Sequence, residues 1–164
     1  MERRYSGGRM IVYFLRHAEA EPDHGADFDR RLTTKGLEQA AKAGKFLLRS
    51  GITPDLIITS PVVRARQTAE IVANALGADL VEDAGLACGM VPESCCRLIE
   101  SHSAHDAILL VGHEPDFSEA IARLLGLADA EAINIRKSSI TAVDISEGGV
   151  ASGQLQFLVP ARLM

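Results

Sequence analysis

Apolar residues fall along this chain in short unbroken runs separated by longer stretches with a helical period. The runs are MIVYFL (Met10 to Leu15), DLIITS (Asp55 to Ser60), AILLVG (Ala107 to Gly112) and ITAVDI (Ile140 to Ile145). Continuous runs of this length, rich in β-branched residues, are the pattern of strands buried on both faces. Between them, amphipathic patterns predict helices at Thr34 to Ser50, Val62 to Leu76, Pro92 to His102 and Pro115 to Leu125. The punctuation agrees. Thr33 or Thr34 can cap the first helix, Ser60-Pro61 opens the second, and Gly51, Gly77 and Gly126 each follow a helix's last turn. Strand and helix alternate, which predicts an α/β fold: a three-layer α/β/α sandwich around a mostly parallel sheet. GGVASG is expected to turn the Ile140 to Ile145 run back into QLQFLV as a final hairpin.

Composition narrows the picture. At 164 residues with 47% hydrophobic and 24% charged content, the chain suits one domain with a continuous core. That domain is expected over residues 10–164, with residues 1–9 as a loose tail. A net charge of −5 and a pI near 5.5 lack the basic footprint of a nucleic-acid binder, so any cationic site must be local. MERRYSGGRM has no apolar segment behind its basic residues, and Ile11 to Leu15 is far too short to span a bilayer. A soluble, cytoplasmic protein with no membrane partner is the expectation. Cys88, Cys95 and Cys96 have neither the number nor the spacing of a disulfide set or zinc site, and read as reduced, structural thiols.

In sheets of this kind ligands bind beyond the carboxyl ends of the strands, and three such ends carry charge. Arg16 and His17 follow the first run, Ser60, Pro61, Arg64 and Arg66 follow the second, and His113, Glu114 and Pro115 follow the third. Four readings compete for Arg16-His17 and the acidic residues behind it: a solvated strand end, a metal cluster, a general acid-base site, or an anion site with a nucleophilic histidine. Metal would use His17, Glu19, Glu21, Asp23 and His24, with His102 and His105 as a second group, but their spacing matches no compact motif and Pro22 interrupts it. Two arginines and two histidines meeting near helix N-termini suit a dianion such as phosphate. The planar fork of arginine makes paired bonds to phosphoryl oxygens, and a histidine held neutral beside it is a competent nucleophile.

These motifs resemble those of the histidine phosphatase, or phosphoglycerate mutase-like, superfamily, and within it the short SixA-type phosphohistidine phosphatases. LRHAEAEPDHGADFDRRLTTKGLEQA is similar to the family's Arg-His opening and the R-x-L-T-x-x-G-x-x-Q-A segment after it. SPVVRARQTAEIV resembles its S-P-x-x-R-A-x-Q-T-A segment, and LLVGHEPDFSEAI its second-histidine segment. The resemblance implies a phosphoglycerate mutase-like fold, His17 as the nucleophile that becomes phosphohistidine, Arg16 and Arg64 as holders of the phosphoryl oxygens, and His113 as a donor completing the pocket. Glu19 and Ser60 are further candidates for substrate contact or orientation. No metal and no cofactor are implied, since the arginines supply the positive charge.

Two departures matter. Ala18 stands where the wider superfamily usually has glycine. More consequential, Gly85 and Leu86 stand where many members carry a glutamate that protonates an alcohol leaving group, and Glu82, Asp83 and Glu93 sit in no convincing motif nearby. A phosphoramidate has a better leaving group than a sugar alkoxide and depends less on such an acid. The expected substrate is therefore a phosphohistidine on a signalling protein, such as a histidine phosphotransfer domain. The alternatives are a small phosphorylated molecule or, without catalysis, a phosphoprotein-binding module on the same pocket. Little room for a lid is expected between Gly77 and Ala107.

Overall fold

The computed structural model describes residues 10–145 and 151–164. The expected N-terminal tail and the first part of the GGVASG turn lie outside the described residues. The strands are β1 (Ile11–Arg16), β2 (Leu56–Thr59), β3 (Leu80–Glu82), β4 (Ala107–Gly112), β5 (Ile140–Asp144) and β6 (Gln154–Val159). The helices are α1 (Thr34–Arg49), α2 (Val63–Leu76), α3 (Pro92–Ser101) and α4 (Asp116–Leu125), with short 3-10 turns at Asp27–Asp29, Ala84–Leu86 and Ala161–Leu163. Predicted elements and observed ones agree to within a residue or two at each end. β3 escapes the sequence pattern because it has three residues, lies at the sheet edge and leaves Val81 and Glu82 exposed.

The described strands form one sheet in the order β3-β2-β4-β1-β5-β6. β3, β2, β4 and β1 run parallel, β5 runs antiparallel to β1, and β6 antiparallel to β5. Both faces are covered, which is why the strands read as continuous apolar runs. On one face Val12, Phe14, Ile58, Ile108 and Leu110 pack with Cys95 and Ile99 of α3 and with Phe117, Ile121 and Leu124 of α4. On the other, Leu15, Ile57, Leu109 and Val111 pack with Ala43 and Leu47 of α1 and with Ala65, Ala69 and Val72 of α2. Alternate residues of each strand serve opposite layers.

Thr33 caps α1 by accepting the Gly36 N–H at 3.0 Å. This first turn is pressed against the backbone just past β1: the Glu19 carbonyl accepts the Thr33 N–H at 3.1 Å, and a Cβ at Gly36 would collide with that same carbonyl oxygen. Gly36→Ala is therefore expected to destabilise the fold by about 1–3 kcal/mol through overpacking, read as a lowered urea midpoint. An unchanged midpoint would contradict this close approach.

Candidate active site

Strand register brings the three charged strand ends together. β4 lies between β2 and β1, with Arg16 opposite Gly112 and Thr59 opposite Val111. The chain leaves all three strands at nearly the same level: the His17 N–H donates to the Gly112 carbonyl at 2.9 Å and the Ser60 N–H to the Val111 carbonyl at 3.0 Å. From the β5 side, the Ser139 carbonyl accepts the Arg16 N–H (3.3 Å) and the Ser138 N–H donates to the Arg16 carbonyl (3.0 Å). Ser138 achieves this with a left-handed φ of 58°, an uncommon conformation for serine. Its hydroxyl donates to the Gln39 carbonyl, so α1 also braces the Arg16-His17 step.

His17 is 7% exposed. Its Nδ1 lies 2.7 Å from the Ala18 carbonyl, which only accepts, so Nδ1 carries the ring proton and Nε2 keeps its lone pair. Arg64, 4% exposed in the first turn of α2, directs Nε–H at that Nε2 from 3.3 Å. Burial above all lowers the His17 pKa to about 3; the Ala18 bond works the other way, and the charges of His113, Arg64 and Arg16 add to the lowering. The result is a neutral imidazole whose nucleophilic nitrogen accepts a hydrogen bond from a guanidinium.

The His113 ring lies 5.3 Å from that of His17, centroid to centroid, and is 3% exposed. Its Nε2 is 2.8 Å from Ser60 Oγ, which already accepts the Val62 N–H. That hydroxyl can donate to Nε2, an arrangement that places the ring's own proton on Nδ1. Burial first, then the Arg64 charge, lowers the His113 pKa to about 4. Arg16 donates Nη1–H to the Ile135 carbonyl at 2.8 Å. Burial lowers its pKa as well, partly offset by the Glu114 carboxylate. Among the described residues, four buried side-chain atoms lack a hydrogen-bond partner, and two of them are His113 Nδ1 and Arg16 Nε. Buried donors without an acceptor are costly. An oxyanion would satisfy both.

Neutral buried histidines make stability depend on pH. In the unfolded chain a histidine titrates near 6.5, so below about pH 6.5 the unfolded state binds protons that the folded state does not, down to about pH 3 for His17 and about pH 4 for His113. Stability contributed by these two groups is full above about pH 6.5 and falls as the pH drops, by up to about 1.4 kcal/mol per pH unit for each. The double variant His17→Gln, His113→Gln should show a shallower loss than wild type in urea unfolding between about pH 6 and pH 4.5. Parallel slopes would contradict the neutral pair.

The other sequence candidates lie as follows. Ser60 sits within the group, on His113. Glu19 turns to the α1 N-terminus, where its carboxylate meets Lys35 Nζ at 2.9 Å and the Thr33 hydroxyl at 3.1 Å. These bonds, Lys35 foremost, lower its pKa, and they hold it as a brace for the loop after His17. Arg66 faces Glu70 and Glu82 on the surface. The three carboxylates near the expected acid position are engaged elsewhere: Glu82 with Arg66, Asp83 capping the Gly85 N–H, and Glu93 with Arg123. Burial raises the pKa of Glu114, next to His113, but its Oε1 accepts the Ser118 N–H within α4. Among the described residues no three His, Cys, Asp or Glu side chains are grouped to hold a metal.

Two residues at the site escape sequence reading. Asp27 reaches Arg64 through both its carbonyl (2.7 Å) and its carboxylate (3.2 Å). Cys88, read from sequence as merely structural, is exposed and places Sγ 3.4 Å from Arg64 Nη2. The pairing of Asp27 with Arg30 three residues on signals a local turn, yet nothing in the spacing says where that turn lands.

The site joins two arginines and two neutral histidines at the carboxyl edge of a mostly parallel sheet, a set of groups whose chemistry suits an oxyanion. The sequence matches the histidine phosphatase superfamily (branch 1) over residues 12–87. It is 38% identical over 136 residues to an uncharacterised protein of Picosynechococcus sp., covering 80% of this chain and 82% of that one. The SixA protein of Agrobacterium tumefaciens superposes with a TM-score of 0.80 at 25% identity, over 92% of this chain and 97% of that chain. The protein histidine phosphatase SixA complexed with tungstate superposes with a TM-score of 0.83 at 21% identity, over 93% and 98%, a likeness of fold. The chain belongs to the histidine phosphatase superfamily and has its phosphoglycerate mutase-like α/β fold. Membership supports a phosphatase. No helix among the described residues is long and apolar enough to cross a membrane.

Proposed function

We propose that this chain removes the phosphoryl group from phosphohistidine on a signalling protein, through a covalent phosphohistidine on His17, without a metal. One observation carries the reading: His17 Nδ1 is tied to the Ala18 carbonyl, so the lone pair lies on Nε2, where it accepts the Arg64 Nε–H beside the His113 ring. Nε2 attacks phosphorus as the substrate's P–N bond breaks. The leaving imidazole keeps the electron pair and takes a proton from solvent. Water then attacks the phosphorus on His17, the P–Nε2 bond breaks, and inorganic phosphate leaves with His17 neutral again. Arg16, Arg64 and His113 hold the three peripheral oxygens through both steps, which is most of what a protein contributes to phosphoryl transfer.

Gly85 and Leu86 at the expected acid position favour a phosphoramidate over a phosphomonoester, and the nearby Glu82, Asp83 and Glu93 face Arg66, the Gly85 N–H and Arg123. A general acid is worth about 10²–10⁴ in rate, and an alkoxide leaving group depends on one. The test is turnover at neutral pH of a phosphohistidine protein, a phosphosugar and phosphoserine, each with and without chelator. Phosphohistidine should lead in kcat/KM by about a hundredfold or more, with chelator making no difference. A phosphosugar preference would replace the substrate, activity lost on chelation and restored by metal would bring back the metal reading, and phosphate binding without turnover would leave a binding module.

A further inference from the structure

Arg64 has five N–H donors to offer, and in the free protein most are committed. Nε faces His17 Nε2, Nη1 donates to the Asp27 carbonyl, and Nη2 reaches both Asp27 Oδ2 and Cys88 Sγ. A phosphoryl group brought to His17 needs the same fork. We propose that Asp27 is a built-in competitor: its carboxylate takes the place on Arg64 that a phosphoryl oxygen takes in the complex, and its loop must release Arg64 for substrate to bind. This rests on the reading of Arg64 as a phosphoryl holder.

The loop is made for release. Residues 21–29 are all exposed and the turn Asp27–Asp29 contributes nothing to the core. What holds it is polar: Arg30 grips Asp27 Oδ1 through Nε at 2.9 Å and the Glu21 carbonyl through Nη1 at 3.0 Å, and Arg64 grips Asp27. The Arg30 contacts lie at the surface and are individually weak, and Asp27 meets the buried Arg64 from an exposed side chain. Arg30 gives the carboxylate somewhere to stay after it leaves Arg64. Burial works to raise the Asp27 pKa, but the hydrogen bond from Arg30 and the charges of Arg64 and Arg30 prevail and lower it. The competitor is thus anionic at neutral pH, and an anion cannot share one fork with a phosphoryl dianion without strong repulsion.

The opposite role would be support: Asp27 fixing the guanidinium in the orientation the substrate needs. The sign of one substitution separates the two. Tungstate, an oxyanion standing in for the phosphoryl group, is titrated calorimetrically into wild type, Asp27→Asn and Asp27→Ala, with urea midpoints confirming that each is folded. Competition predicts binding about three- to tenfold tighter in both variants, and a KM for phosphohistidine substrate that falls in step. The gain should vanish when Arg64→Ala is added, as a cycle through a shared partner requires. Weaker or unchanged binding in the Asp27 variants, or a gain that survives Arg64→Ala, would overturn the competitor while leaving the phosphoryl site intact. Folded wild type that binds no tungstate would overturn that site and the competitor with it.

Discussion

His17→Ala is expected to lower phosphohistidine turnover by at least about a thousandfold. The reason is chemical, since alanine offers no atom to carry the phosphoryl group and the two-step route closes. His17→Gln, which keeps polarity and approximate volume, should be as inactive, because an amide is not a nucleophile toward phosphorus. Removing the imidazole leaves the strand register and both core layers untouched but opens a cavity and takes the acceptor from Arg64 Nε, so folded variants with somewhat lowered unfolding midpoints are expected. Activity within about tenfold of wild type in either variant would sink covalent catalysis at His17.

The second large effect belongs to Arg64. Arg64→Ala should reduce kcat/KM by about 10²–10³, the range found when one donor to a developing oxyanion is removed. Arg64→Lys should recover little of this. Lysine restores charge but neither the paired donors nor the Nε–H aimed at His17 Nε2. The comparison matters because Arg64 also anchors the Asp27 loop, and a merely structural arginine would show its loss in the urea midpoint and leave kcat nearly intact. A lysine variant with wild-type kcat would contradict the geometric role.

How much of this was legible beforehand follows from physical range. Arg16, His17, Ser60, Arg64 and His113 stand within a few residues of the ends of apolar runs, and parallel register alone brings such ends together. The residues between strands are governed by loop paths, which leave no periodic trace. That is why Asp27 passes as one more acidic residue in DHGADFDRR when it in fact meets a buried arginine 37 residues away. Glu19 shows the same limit from the other side. Its place two residues after His17 marks it as a candidate for chemistry, but the cationic side chain of Lys35 and the hydroxyl of Thr33 at the start of α1 draw its carboxylate aside. Cys88 belongs with Asp27: Asp116, buried at the start of α4, accepts the N–H groups of Gly89 and Met90 and so sets the loop that carries the thiol. Residues 77–107 hold only β3, a 3-10 turn and α3, and Arg64 is met both by Cys88 from this segment and by Asp27 from the loop between β1 and α1.

Covalent capture tests the central claim most directly. Wild-type protein is mixed with a phosphohistidine protein labelled on phosphorus, quenched in alkali within the first turnover, digested and mapped by mass spectrometry. The phosphoryl group should be found on the peptide carrying Arg16 and His17, with the acid lability of a phosphoramidate, and on no peptide of His17→Ala. Label on His113, on Cys88 or on no residue at all while turnover proceeds would contradict a phosphohistidine intermediate at His17.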